Sequence, residues 1–101
     1  MYMTTIIQYV DIKSSDTLST YTEKQLEKLN KKFNRIITAR VYFKIENNAT
    51  LNGKICEIDL SISGPKIFAS SNEKNFEMAV KETISDLEKQ LEKRMTKLSN
   101  F

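Results

Sequence analysis

Two alternating runs on either side of one turn constrain this chain most. Between residues 37 and 46, Ala39, Val41, Phe43 and Ile45 point one way, and Arg40, Tyr42, Lys44 and Glu46 the other. Residues 47–53 supply turn chemistry, with Asn52-Gly53 its strongest signal. The run 54–63 alternates again, placing Cys56, Ile58, Leu60 and Ile62 on one face and Glu57, Asp59 and Ser61 on the other. Strands with one apolar face need cover, and the rest of the chain must provide it. Only two Gly and one Pro interrupt 101 residues, so a single domain built mostly of regular elements is expected over 1–101.

The cover comes from two helical patterns. Residues 5–12 are β-branched and aromatic and read as a first strand that ends at Lys13-Ser14-Ser15-Asp16. Ser15 is a good N-cap, and Asp16 suits the positive end of a helix dipole. Leu18, Tyr21, Leu26, Leu29 and Phe33 then follow at helical spacing, which predicts a helix over 16–33. After the turn Ser63-Gly64-Pro65-Lys66, the segment Ile67-Phe68-Ala69 makes a short last strand. Ser71 or Asn72 caps a final helix with Glu73 in its first turn and Phe76, Val80, Ile84, Leu87, Leu91, Met95 and Leu98 on one stripe. At 1.5 Å per residue that helix runs roughly 37 Å against roughly 23 Å for a seven-residue strand, so its last turns overhang the sheet.

The element order is β-α-β-β-β-α. The economical assembly is an α+β two-layer sandwich: a four-stranded mixed sheet, with strands one and two parallel and the rest antiparallel, and both helices on one face.

Composition removes several functions. There is no His, which takes away the usual general base and the commonest metal ligand, and with them every Ser-His or Cys-His arrangement. Cys56 is single and sits in an apolar run, so it reads as a small buried hydrophobe in a reduced, cytoplasmic protein. Neither a membrane span nor a signal peptide is visible. No nucleophile, metal set or phosphate loop is present, and an enzyme or a cofactor is not expected.

Charge placement says more than the net charge of +3. On the first helix Lys24, Lys28, Lys31, Lys32 and Arg35 fall within about 100° of arc, with Glu23 and Glu27 on the opposite flank. On the final helix Lys89, Lys93 and Lys97 repeat at every fourth residue, beside a row of Glu88 and Glu92. Like charges four apart repel by roughly 0.2–0.5 kcal/mol a pair, so a helix serving stability alone would interleave its signs. A solvated lysine-rich face is the plain alternative. Glu46, Glu57 and Asp59 on the outer sheet face suggest a dipolar molecule, basic over the helices and acidic over parts of the sheet, that would orient a polyanion. Tyr42 and Phe68 on that face are better placed for cross-strand contacts than for base stacking.

With elements and charges placed, the chain resembles the ribosome hibernation-promoting factors of the ribosome-associated inhibitor family, in their short form. The resemblance spans nearly the whole chain. It rests on Asp16-x-Leu18-x-x-Tyr21, Leu26-x-x-Leu29-x-x-x-Phe33, Ala39-Arg40-Val41, Glu57-Ile58-x-Leu60 and Gly64 leading to Phe68-Ala69. Its most specific part is Phe76-x-x-Ala79-Val80 followed by Leu87-Glu88-Lys89-Gln90-Leu91-x-Lys93. It implies a fold similar to a double-stranded RNA-binding domain and a non-enzymatic role. Such proteins occupy the mRNA and tRNA channel of the small ribosomal subunit, against rRNA, and hold idle ribosomes in a translationally inhibited state under starvation. The family's basic positions match Lys28, Lys31 and Lys32 on the first helix and Lys89 and Lys93 on the last, continued by Arg94 and Lys97. Glu92 departs from the basic residue many relatives carry, and Glu77-Met78 replaces a pair often Tyr and basic. A C-terminal dimerisation domain of the long-form relatives is not expected, nor a small-molecule or membrane partner, and the protein would be monomeric off the ribosome. The competing readings are a free-standing duplex-RNA binder and a protein–protein module that dimerises through the outer sheet face.

Overall fold

A computed structural model describes residues 3–47, 52–64 and 66–99, the last four by backbone alone. The elements are β1 (Thr4–Tyr9), α1 (Asp16–Phe33), β2 (Ile36–Ile45), β3 (Lys54–Ile62), β4 (Ile67–Glu73) and α2 (Phe76–Ser99). They form one four-stranded sheet in the order β1-β2-β3-β4, with β1 parallel to β2 and the other neighbours antiparallel. Both helices pack on the same face, and the expected architecture holds.

The core lies between the layers. Ala39, Val41 and Phe43 of β2 and Cys56, Ile58 and Leu60 of β3 meet Leu18, Leu26 and Leu29 of α1 and Ala79, Val80, Leu87 and Leu91 of α2. Burying each leucine or phenylalanine contributes roughly 1.5–3 kcal/mol. Phe43 stacks on Tyr9 at 5.2 Å between centroids and takes Phe76 edge-on at 5.3 Å, joining the edge strand, the centre of the sheet and the start of α2. Two threonines share the core, each satisfied along its own helix: Thr22 donates to the Leu18 carbonyl at 2.8 Å, and Thr83 to that of Ala79 at 2.7 Å. Burial pushes the Cys56 thiol up to about 12 and keeps it neutral.

The caps of α1 fix where its lysines sit. Ser15 accepts from the Leu18 amide at 3.2 Å, as its position suggests. At the other end Asn34 adopts the left-handed conformation (φ 53°), and its amide returns to the Asn30 carbonyl. The buried Asn30 side chain accepts from the Ile36 amide at 3.1 Å, tying the end of α1 to the start of β2. A register shift between Ile36 and Thr38 accompanies this contact: Ile36 is fully buried and Ile37 faces water, against the alternation expected there.

Three other boundaries differ from expectation. β1 stops at Tyr9, because Asp11 takes a positive φ of 57° and turns the chain towards α1. Ile45 closes the β2–β3 ladder opposite Lys54 and is exposed. Above all, β4 runs on to Glu73, because the nine-residue β3 offers partners for Ser70, Ser71, Asn72 and Glu73. Ser71 and Asn72 therefore do not cap α2. Asn75 does, accepting from the Met78 amide at 2.8 Å. Asn72 instead accepts from the Gly53 amide at 2.6 Å and donates to Glu46, pinning the β2–β3 connection. Leu91 is the last fully buried side chain described on the 24-residue α2, and the molecule is 47 Å long, in keeping with an overhanging helix end.

Candidate nucleic-acid interface

The candidate surface is the outside of the helix layer. On α1, Lys24, Lys28 and Lys31 line a groove against Met3 and Thr5 of the β1 segment. All three are exposed. Glu23 and Glu27 line the same groove and are not on an opposite flank, because residues one apart on a helix are separated by only 100°. Arg35 lies past the left-handed Asn34, so the helical arc does not extend to it. It is exposed in the link between α1 and β2. Lys28 also borders a second crevice, between the helices, with Gln25, Leu29 and Lys32 on one side and Ile84 and Glu88 on the other.

Lys32 differs from its neighbours. Its ammonium reaches Glu88 at 2.5 Å and Glu92 at 3.1 Å, both on α2, and stands 5.5 Å from the centre of the Phe33 ring. Hydrogen bonds to Glu88 and then to Glu92 raise its pKa above the ordinary lysine value. Helix one and helix two are thus joined by a cation held between two carboxylates.

On α2 the pairing of Lys32 fixes which flank faces α1: that of Glu88 and Glu92. Lys89 and Lys93 project on the next row, exposed. Gln90 donates to the Phe68 carbonyl at 2.9 Å, so its flank faces β4, and Arg94, four residues on, shares that flank about 100° from Lys93. The side chain of Lys97 lies outside the described residues. Across the helix layer the order is therefore Lys24, Lys28 and Lys31, then Lys32 with Glu88 and Glu92, then Lys89 and Lys93. Among the described residues no ion pair engages Lys24, Lys28, Lys31, Arg35, Lys89, Lys93 or Arg94.

The sheet's outer face is not the acidic surface expected of it. The same alternation that exposes Glu57 and Asp59 exposes Arg40 and Lys44, and the register sets Arg40 beside Asp59 and Tyr42 beside Glu57. Lys44 pairs with Glu57 at 2.9 Å and Lys66 with Asp59 at 3.8 Å. Phe68 is 54% exposed on this face. Among the described residues no group of three or more His, Cys, Asp or Glu could hold a metal, and no helix is long and apolar enough to cross a membrane.

Residues 5–99 match the sequence profile of the family described as sigma 54 modulation protein / S30EA ribosomal protein. The chain belongs to that family. Two solved structures share its S30EA fold. A ribosomal subunit interface protein from Coxiella burnetii is 24% identical and aligns over 95% of this chain and 99% of its own, with a TM-score of 0.78. The N-terminal domain of Protein Y from Thermus thermophilus is 18% identical, covering 92% and 98%, with a TM-score of 0.75. No curated protein sequence matches the chain significantly. S30EA membership places it among ribosome-associated proteins.

Sequence reasoning missed one arrangement on this surface. It named Lys32, Glu88 and Glu92 and saw the acidic row, but the bridge between them spans more than fifty residues of sequence. The usable signal was a pair of carboxylates at i, i+4 on the flank of α2 nearest a lysine-rich helix.

Proposed function

We propose that this protein binds the small ribosomal subunit in the channel used by mRNA and tRNA and inhibits translation by idle ribosomes through steric occlusion. Lys24, Lys28 and Lys31 of α1 would form one basic row and Lys89 and Lys93 of α2 a second, with Arg35 beyond the end of α1, Arg94 on the neighbouring flank of α2 and Lys97 further along it as additional contacts. Each supplies ammonium or guanidinium donors to rRNA phosphates. The observation that carries this reading is that, among the described residues, Lys24, Lys28, Lys31, Lys89 and Lys93 are exposed with no carboxylate in an ion pair, whereas Lys44 on the sheet and Lys66 beside it are paired. S30EA membership supplies the ribosome as partner. Occlusion requires only binding, so no chemical step is involved.

Replacing Lys28, Lys31, Lys89 and Lys93 together with Glu tests the assignment. Cosedimentation with purified small subunits should fall by roughly 10³-fold or more in affinity at 150 mM salt. Circular dichroism and the melting profile should stay close to those of the parent. Undiminished cosedimentation of a folded variant would contradict the proposed site.

A further inference from the structure

The resemblance groups Lys32 with the rRNA contacts, yet its surroundings differ from those of the other described lysines on the helix layer. Its ammonium is held by two carboxylates of the opposite helix, and the protein provides it with more negative charge than it can cancel. Without Lys32, Glu88 and Glu92 would form an unrelieved acidic stripe between the Lys24–Lys28–Lys31 row and the Lys89–Lys93 row. A polyanion crossing from one helix to the other must pass over that stripe. Repulsion there acts against both rows at once, because one stiff RNA segment cannot lie on the first row without approaching the second.

We propose that Lys32 is a positioning residue and not a phosphate ligand: it ties α1 to α2 and masks the Glu88–Glu92 stripe, so that two separate lysine rows work as one surface. The proposal rests on the reading of the helix layer as an RNA-binding face. A direct ligand and a masking residue have different signatures. Each lysine that neutralises a phosphate adds about 0.7–0.9 to the slope of log affinity against log salt. The loss of a lysine engaged with its own glutamates acts through the carboxylates it uncovers, and is made good when those glutamates are neutralised too.

The experiment measures binding to purified small subunits between 50 and 200 mM monovalent salt at fixed magnesium. It compares the parent with Lys32→Gln, with Glu88→Gln/Glu92→Gln, and with the triple replacement, each first confirmed as folded by circular dichroism. K32Q should weaken binding several-fold at 50 mM salt and by less at 200 mM, as the uncovered carboxylates are screened. The triple variant should recover parental affinity, and the double glutamate variant should bind more tightly than the parent. No recovery of affinity in the triple variant relative to K32Q would identify Lys32 as a phosphate ligand and overturn the proposal. A second measurement needs no RNA. In the free protein, acetylation of Lys32 should be slower than that of Lys31 and Lys93 and should rise to their level in E88Q/E92Q. Equal rates in the parent would overturn the clamp whatever the partner is. Absence of any salt-sensitive binding by the parent would instead overturn the RNA reading and leave the clamp to the acetylation result.

Discussion

The two broad surfaces of this molecule treat charge in opposite ways. On the outer sheet face cations and carboxylates are cross-strand neighbours, and Lys44–Glu57 and Lys66–Asp59 are paired within 4 Å. On the helix layer the signs are sorted into rows, and most lysines face water alone. The difference follows from periodicity. A two-residue repeat laid across adjacent strands sets Arg40 against Asp59 and Tyr42 against Glu57, with Lys44 near enough to reach Glu57, so the ladder brings opposite signs together. A helix brings together residues three and four apart, so Lys24-Lys28 and Lys89-Lys93 gather like charges, and among the described residues no ion pair engages them. Surface salt bridges contribute little, with a median near 0–1 kcal/mol, so the pairing on the sheet matters less for stability than for what that face leaves unavailable.

Matched charge removal is the sharpest way to break this contrast. Lys28, Lys31 and Lys93 changed together to Gln should lower affinity for small subunits by about 10²-fold, with the salt slope falling by about one per lysine. Arg40, Lys44 and Lys66 changed to Gln remove the same net charge and should cost less than about 5-fold, because general attraction alone is lost. Similar losses from the two triples, read by equilibrium binding, would mean that net charge and not location governs the interaction.

The next effect sharpens the contrast from beneath, since both helices must be seated for their rows to align. Leu26 and Leu87 are fully buried, one under each helix. Either one changed to Ala should destabilise the fold by about 2–5 kcal/mol in denaturant titration. Asn30→Ala should cost about 1–3 kcal/mol, because it orphans the buried Ile36 amide at the junction that positions Lys31 and Arg35. Asn75→Ala, at an exposed cap of α2, should cost nearer 1 kcal/mol. If the two asparagines prove equal, the α1–β2 junction is no more fixed than a surface cap.

The last effect concerns the shared core and appears only at alkaline pH. Cys56 ionises near 12 in the fold against 9.0 in a free thiol, so the folded state retains a proton that the unfolded chain releases. Its contribution is fully present below pH 9 and fades as pH rises from 9 towards 12. Melting curves should show part of the alkaline stability loss disappear in Cys56→Ala.

What the sequence reveals here follows the range of the interactions. α1 is legible end to end because its cap, its dipole partner and its stripe all lie within the helix. β2 and β3 are legible because one apolar face against water leaves an unbroken alternation from Ala39 to Phe43 and from Cys56 to Ile62. β4 is not, since Ser70-Ser71-Asn72-Glu73 carries capping chemistry and becomes strand only where β3 holds it. The inversion of Ile36 and Ile37 depends on Asn30, six residues back. The lysine rows are visible on each helix separately. Whether rows on two helices merge, and whether a glutamate stands between them, is decided by packing, and there the Lys32 bridge escaped a reading made one helix at a time.

The most direct measurement is lysine acetylation of the protein free and bound to small subunits, read residue by residue by mass spectrometry. Lys24, Lys28, Lys31, Lys89 and Lys93 should be protected in the complex, while Lys44 and Lys66 keep the reactivity they show in the free protein. Protection confined to Lys44 and Lys66, with the helix lysines as reactive as before, would put the sheet and not the helices against the ribosome and contradict the account.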